Sequence, residues 1–386
     1  MRRADPHRPR RLGAAGHRDP GDVRHCAVHA SAAAGTSRVM ARIVIVGAGV
    51  TGLVTAVECA LAGHRVTVLD RGSIPSPVST SFDQHRALRT FVPDDVDATL
   101  GRVAAHRRWL ELESLLDTRF YRRVGVVTAW PRAQAAVMAG QAMAWGLPVE
   151  TLEPEKLPHL VFARDAVGVL EVDAGVLLAT RVLVAAVRWL IEHPLVSLRP
   201  NSRVTAVGTG RVSVEGGVTV RADLVLVAEG PWTAELVGVP VRLHRQTMVY
   251  LRPPEPLMRW WENAPGAGGL GDDGRAWLLP PGDGTLLKIS SNAVCREVES
   301  VDSVELYQDW ADQLLAASIV SDVDRYTVVA VKHCHYAADA VTGGAQLTEV
   351  APAVWARAAC GGSGFASAPL VAARIVGALG ALGEAA

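Results

Sequence analysis

The 386-residue chain has 39 basic and 39 acidic residues, and 49% of its residues are hydrophobic. That is enough to bury a large core and to build two domains, or one domain with a substantial insertion. The formal net charge of zero offers no electrostatic reason to expect nucleic acid or an anionic membrane as partner, and no apolar run reads as long enough for a membrane span. Five cysteines at positions 26, 59, 295, 334 and 360 fit neither a disulfide framework nor a paired C-x-x-C site, so a reducing cytoplasm and no metal are expected.

Residues 1–40 are crowded with Arg, His, Pro, Gly and Ala and show no hydrophobic periodicity, so they are expected not to fold. The pairs Arg2-Arg3 and Arg10-Arg11 lack the apolar stretch that an export signal needs behind them. With Met40 directly before the first strand, this segment reads as a disordered tail or a misassigned start.

Ile43–Val46 reads as a buried parallel strand, and Gly47, Gly49 and Gly52 form G-x-G-x-x-G where a helix begins. Gly47 permits the tight turn, Gly49 lets the backbone approach a pyrophosphate, and Gly52 lets the helix pack on the strand while its first N–H groups face the phosphates. A second strand, Arg65–Leu69, ends in Asp70. A carboxylate there accepts both ribose hydroxyls and repels a 2′-phosphate. Ala48 inside the turn and Arg71 after the acid are counted with this dinucleotide site. The motif alone does not choose between NAD and FAD.

Further along, the periodicity predicts helices over Val96–Leu116, Ala133–Gly146 and Val176–Glu192, with a strand pair over Thr118–Trp130 between the first two. Strands follow at Ser202–Val207, Arg211–Val220 and Ala222–Ala228, the last running into Gly230 as a second nucleotide-side strand would. Val239–Val329 reads as strands with one helix, Val304–Ala317. The chain then shows a short strand (Val354–Ala359), a glycine turn (Cys360-Gly361-Gly362-Ser363-Gly364) and a closing helix, Pro369–Leu382. A second glycine turn leading into a helix, so far from the first, suggests a nucleotide domain assembled from separated segments.

Several motifs occur in an order that has a known counterpart: SFDQHRALR (81–89), GVLLA (175–179), Arg203-Val204, AEGPW (228–232), His244-Arg245-Gln246, LLKI (286–289), KHCHY (332–336) and GSGF (362–365). Over roughly residues 42–380 the chain resembles the monomeric sarcosine oxidase and N-methyltryptophan oxidase group of the D-amino-acid oxidase superfamily. The corresponding family elements are two arginines three apart, G-V-L, the adenine-contacting strand, A-x-G-x-W, Y-R-Q, L-K-L, K-x-C-x-Y and S-G-H-G-F. The resemblance implies an α/β fold, α+β overall: a Rossmann-like FAD-binding domain from residues 41–90, 168–238 and 328–386, and a mixed-sheet substrate domain from residues 91–167 and 239–327. It implies FAD contacts at Val204, Gly230, Trp232, Tyr336, Gly362, Ser363, Gly364 and Phe365, beside those of the glycine turn.

Lys288 is one of only three lysines, with Lys156 and Lys332, against 36 arginines. By itself it reads as a lysine on a strand surface. The resemblance implies a cation over the flavin ring that stabilises superoxide as oxygen takes its first electron. For Cys334 it implies a thioether to FAD, and Lys332, His333 and His335 would lower the thiol pKa if they point toward it; by itself this is a small buried cysteine, as Cys59 and Cys360 are. It places Arg86 near the flavin and pairs Arg89 with a substrate carboxylate, which suits a planar guanidinium fork. By themselves these two are a solvated pair.

Three positions depart from the family: Ala366 where a lysine completes the carboxylate clamp, Asn292 where a histidine follows the oxygen-side lysine, and Glu229 where a small residue is expected. The flavin machinery therefore reads as retained and the substrate pocket as rebuilt, with Trp260, Trp261 and Trp277 as candidates to line it. The expected activity is an FAD-dependent amine oxidase that converts an amino acid or bulkier amine to an imine and O2 to H2O2, working as a monomer or homodimer. A monooxygenase driven by NAD(P)H, a dehydrogenase using another acceptor, and a flavin-binding protein without turnover or partner subunit of a larger oxidase are the alternatives.

Overall fold

The computed structural model describes residues 40–302 and 310–384. The expectations for residues 1–39, and for the start of the 304–317 helix, lie outside them. The opening unit folds as the periodicity predicts: β1 (Arg42–Val46), α1 (Val50–Leu61) and β2 (Arg65–Leu69). Strand β1 pairs in parallel with β2 on one side and Leu224–Val227 on the other. Both edges are thus taken, and the residues from Ile43 to Val46 are all buried.

The full sheet runs Ala345–Ala351, Val354–Cys360, Leu224–Val227, β1, β2, Val196–Arg199. Only its first strand is antiparallel to its neighbour. Three distant parts of the sequence thus supply one nucleotide-side sheet. One face is covered by α1, the helix Ala179–Glu192 and the C-terminal helix Gly364–Glu384, whose Leu53, Leu183 and Ile375 meet Ile43, Ile45 and Leu226. The other face, with Val44, Val46 and Val225, packs on a small three-stranded sheet from residues 204–221.

The C-terminal helix starts at Gly364, five residues before the expected Pro369. Proline has no N–H to give the carbonyl four residues back, which is that of Phe365. That oxygen instead accepts a hydrogen bond from the indole Nε1 of Trp109 at 3.0 Å, on α2 (Val96–Leu115). Contrary to the expectation from the sequence, Gly364–Leu382 is long and apolar enough to cross a membrane by length and composition. Here it is a core helix, with Phe365, Ala368, Val371, Ala372 and Leu379 buried beside α1 and α2.

The second sheet is mixed, in the order Arg296–Val298, Val241–Arg252, Leu287–Ser291, Ala276–Leu279, Gly266–Leu270, Val126–Pro131, Ala166–Glu171, Val149–Leu152. The strand Thr327–Asp339 runs antiparallel along the whole of Val241–Arg252. By pairing, then, residues 168–171 and 328–339 sit in this sheet, although the sequence groups them with the cofactor domain. Three local expectations also change. Gly175–Leu177 is a strand held between Arg86–Leu88 and Tyr121–Arg122, so the helix starts at Ala179; a short buried apolar run fits either period. Arg211–Val220 is a hairpin turning at Gly216 and Gly217, both at positive φ. Glu255–Asn263 is an additional helix.

Candidate active site

At Gly47 φ is +101°, and a Cβ would stand 2.5 Å from the carbonyl oxygen of Ala228; at Gly52 it would stand 1.9 Å from that of Gly47. Only glycine lets strand, turn and helix close this tightly. The Asp70 carboxylate braces the turn, accepting from the backbone N–H of Ala48 and of Gly72, each at 2.8 Å. Each oxygen keeps acceptor capacity for a ribose hydroxyl. The Arg71 guanidinium lies 3.8 Å above the ring of Trp232, a cation–π contact that fixes both. Burial, with Asp70 close by, pushes the Glu229 carboxyl up to about 7.

From this turn a cavity of about 740 Å³ runs between the two sheets. It passes Gly49, Asp70, Arg71, Gly230 and Trp232, then Gly362, Ser363, Gly364 and Phe365 at the start of the C-terminal helix, and reaches Arg86, Lys288, Cys334 and Tyr336. Beyond them stand Arg89, Arg102, Thr128, Trp277 and Asn292. Nearly every predicted site residue is thus brought to one space. Three do not line it: Ala48 and Gly52 serve the turn itself, and the side chain of Val204 is buried beneath the nucleotide-side sheet with Val44 and Val212. Among the three candidate tryptophans only Trp277 lines the cavity. Trp261 is in the core, donating to the Tyr326 hydroxyl at 2.9 Å, and Trp260 packs edge-on against it and His159.

Lys288 is 1% exposed. Its Nζ donates to Asp83 Oδ2 at 2.9 Å and to the carbonyl oxygen of His85 at 2.6 Å. Asp83 is equally buried; its Oδ1 accepts from the Tyr250 hydroxyl at 2.5 Å and the Gln84 N–H at 2.7 Å, and Arg86 pairs with Oδ2. Burial, with Arg86 beside it, holds the Lys288 pKa well below its ordinary value. Burial and Lys288 likewise hold His85 well below its own, so that imidazole is neutral.

At Cys334 the flanking histidines are not the cations that act on the thiol. The His333 Nδ1 hydrogen-bonds with the Thr247 hydroxyl at 2.9 Å, and both His333 and His335 are lowered by burial and by Arg245. The cations acting on the thiol are Arg86, Lys288 and Lys332; burial nevertheless pushes its pKa up. Strand alternation is the reason, since residues 333 and 335 leave the face that 334 occupies. Tyr336 stacks on His244 with centroids 5.2 Å apart.

Arg89 donates its Nε to Glu171 at 3.0 Å, so part of its fork is already engaged. Glu171, buried, also accepts from the Thr90 N–H and hydroxyl and the Phe91 N–H. Arg102 lies close enough for the Arg89 charge to oppose its own, and it makes no hydrogen bond or ion pair with the described residues. Asp83, Tyr250, Glu171 and Arg102 escape sequence reasoning. Only the position of Asp83, inside SFDQHRALR, carried a signal.

The arrangement fits FAD. One end offers a glycine turn, a helix N-terminus and an acid at a strand end, Asp70, with the Glu229 carboxyl close to it. The other end gathers a cation, a thiol and the N-terminus of a second helix, donors suited to an electron-rich ring system. Comparison with known proteins agrees. Peroxisomal sarcosine oxidase of Mus musculus is 24% identical over 246 residues, the match covering 59% of each chain, so the chain spans about three-fifths of that relative's length. A modified fructosyl peptide oxidase from Aspergillus nidulans superposes with a TM-score of 0.73 at 17% identity, over 87% of this chain and 89% of that one. Glycine oxidase from Bacillus cereus superposes at 0.72 and 14% identity, over 88% and 94%. The DAO family of FAD-dependent oxidoreductases matches residues 42–378, and the chain belongs to that family.

Proposed function

We propose that this chain oxidises the C–N bond of an amino acid or a bulkier amine to the imine, with O2 as acceptor and H2O2 as second product. The observation that carries the reading is Lys288: a lysine in a chain almost without lysine, buried in the cavity wall, with two N–H groups tied to protein and one left over. FAD, when bound, supplies the two-electron acceptor. The glycine turn and the first turn of α1 hold its pyrophosphate, Asp70 its ribose, and the start of the C-terminal helix its polar ring edge. Cys334 is the residue proposed to join it through a thioether. The Lys288 ammonium provides fixed positive charge where oxygen gains electrons, an effect exerted on the transition state rather than the resting site.

The names of the sarcosine and glycine oxidases support an amine or amino acid as substrate. Ala366 and Asn292 remove groups of the family's pocket, while Met248, Trp277 and Leu278 give the cavity apolar wall, which favours a larger amine. Arg102, facing the cavity without an ion-pair partner among the described residues, supports an acidic group on it. The test is anaerobic mixing of the flavoprotein with a panel of N-methyl amino acids and larger acidic amines, followed by air. Bleaching by one of them and then H2O2 release are expected. Bleaching by NADPH alone, or reduced flavin that air leaves unchanged, refutes the reading.

A further inference from the structure

The proposed function leaves Asp83 unused, yet among the described residues Asp83 is the only carboxylate that faces Lys288. Those groups are Arg86 and Asp83 from the 79–86 segment, the neutral His85, Tyr250 from the adjacent strand, and Lys332 and Cys334 from the strand beyond it. Two further cations and full burial all favour loss of the Lys288 proton; the Asp83 charge, 2.9 Å away, favours its retention. The carboxylate is itself rigidly held. Tyr250 and Gln84 occupy one oxygen, Arg86 and Lys288 the other. Its segment is stitched to the second sheet, since the Thr80 hydroxyl donates to the His335 carbonyl at 2.6 Å and Lys332 donates to that of Phe82. With the His85 carbonyl taking a second N–H of Lys288, the third has no hydrogen-bond partner among the described residues, and the side chain lines the cavity.

We propose that Asp83 is the positioning residue that keeps Lys288 protonated and turns its remaining N–H into the cavity, so that the working cation is a buried ion pair rather than a lone lysine. This rests on the reading of Lys288 as the oxygen-side cation, and the test keeps the two apart. Cyanate serves as probe. Isocyanic acid adds to a neutral amine, the N–C bond forming as the amine proton moves to the isocyanate nitrogen, whereas an ammonium has no lone pair to react. The purified flavoprotein is labelled across a pH series, and Lys288, Lys332 and the exposed Lys156 are read separately by peptide mass.

The labelling rate, divided by the isocyanic acid present at each pH because that acid ionises as pH rises, follows the neutral amine, and its midpoint against pH reports protonation independently of access. In the native protein the Lys288 midpoint should lie above about pH 7; Asp83→Asn should lower it by at least about one pH unit, a tenfold change in the proton equilibrium, and Asp83→Glu should restore most of it. A native midpoint below about pH 7 overturns the proposal without any variant, and an unchanged midpoint in Asp83→Asn overturns it as well. If Lys288→Met reoxidises at the native rate, the oxygen reading fails while the labelling result stands.

Discussion

Replacing Lys288 by Met keeps length and apolar volume while deleting the charge, so it isolates electrostatics. Two consequences can be worked from the site. The first is stability: Lys288 and Asp83 are each 1% exposed at the side chain, and breaking a buried pair from one side costs about 3–5 kcal/mol. Arg86 remains on Asp83, so the lower end applies, a fall in Tm of roughly 4 °C for a chain of this size. The second is chemistry. Loss of one preorganised donor or charge at the point where negative charge develops slows that step about 10²–10³-fold, or about 2.7–4 kcal/mol. Transfer of electrons from substrate needs no such charge and should change less than about threefold. Stopped-flow measurement of the two half-reactions, at a temperature where the variant is folded, checks this. Equal slowing of both, or native reoxidation with only the stability loss, means that Lys288 is structural and that oxygen is activated elsewhere.

Intact mass of the purified protein should exceed that of the polypeptide by one FAD, and Cys334→Ser should release all its yellow colour on acid precipitation; release of all colour by the native protein makes Cys334 a packing residue. Asp70→Ala removes both the ribose acceptor and the brace on Ala48 and Gly72, so it should purify with less flavin; native FAD content and native Tm together refute both roles. Glu229 gives a pH dependence. Its carboxyl is raised from 4.5 to about 7, so the folded chain keeps a proton that the unfolded chain releases, and the resulting stabilisation is full below 4.5 and lost as pH rises through 7. Glu229→Gln should therefore flatten Tm across that window and exceed the native stability above it by roughly 1–3 kcal/mol; curves that stay parallel show that Glu229 is solvated.

The glycine turn with its two strands is legible because each position there answers to its near neighbours in sequence: an apolar run long enough to be buried on both sides, three glycines at fixed offsets, an acid at a strand end. Cys334 and Lys288 are legible only through resemblance, since burial of a strand residue is decided by which distant strand pairs with it. Asp83 and Glu171 show the limit more sharply. Nothing near Glu171 in sequence says that its carboxylate will meet Arg89, Thr90 and Phe91, some eighty residues earlier. Gly175–Leu177 fails for a different reason, since three buried apolar residues fit a strand or a helix equally and the choice falls to their partners, Arg86–Leu88 and Tyr121–Arg122.

The order of strands in the nucleotide-side sheet also has a consequence for how this protein is made. Strand β1 is made before both of its sheet neighbours, one of which lies some 180 residues later in the chain, and the helix Gly364–Glu384 that packs on α1 comes later still. Such long-range pairing is slow to form and leaves apolar strand edges open meanwhile. The glycine turn is therefore translated well before the elements that complete it. A nascent chain stalled anywhere before Val354 holds the whole phosphate-binding motif without the strand and helix that pack against it, so cofactor capture is expected to wait until those elements have been made.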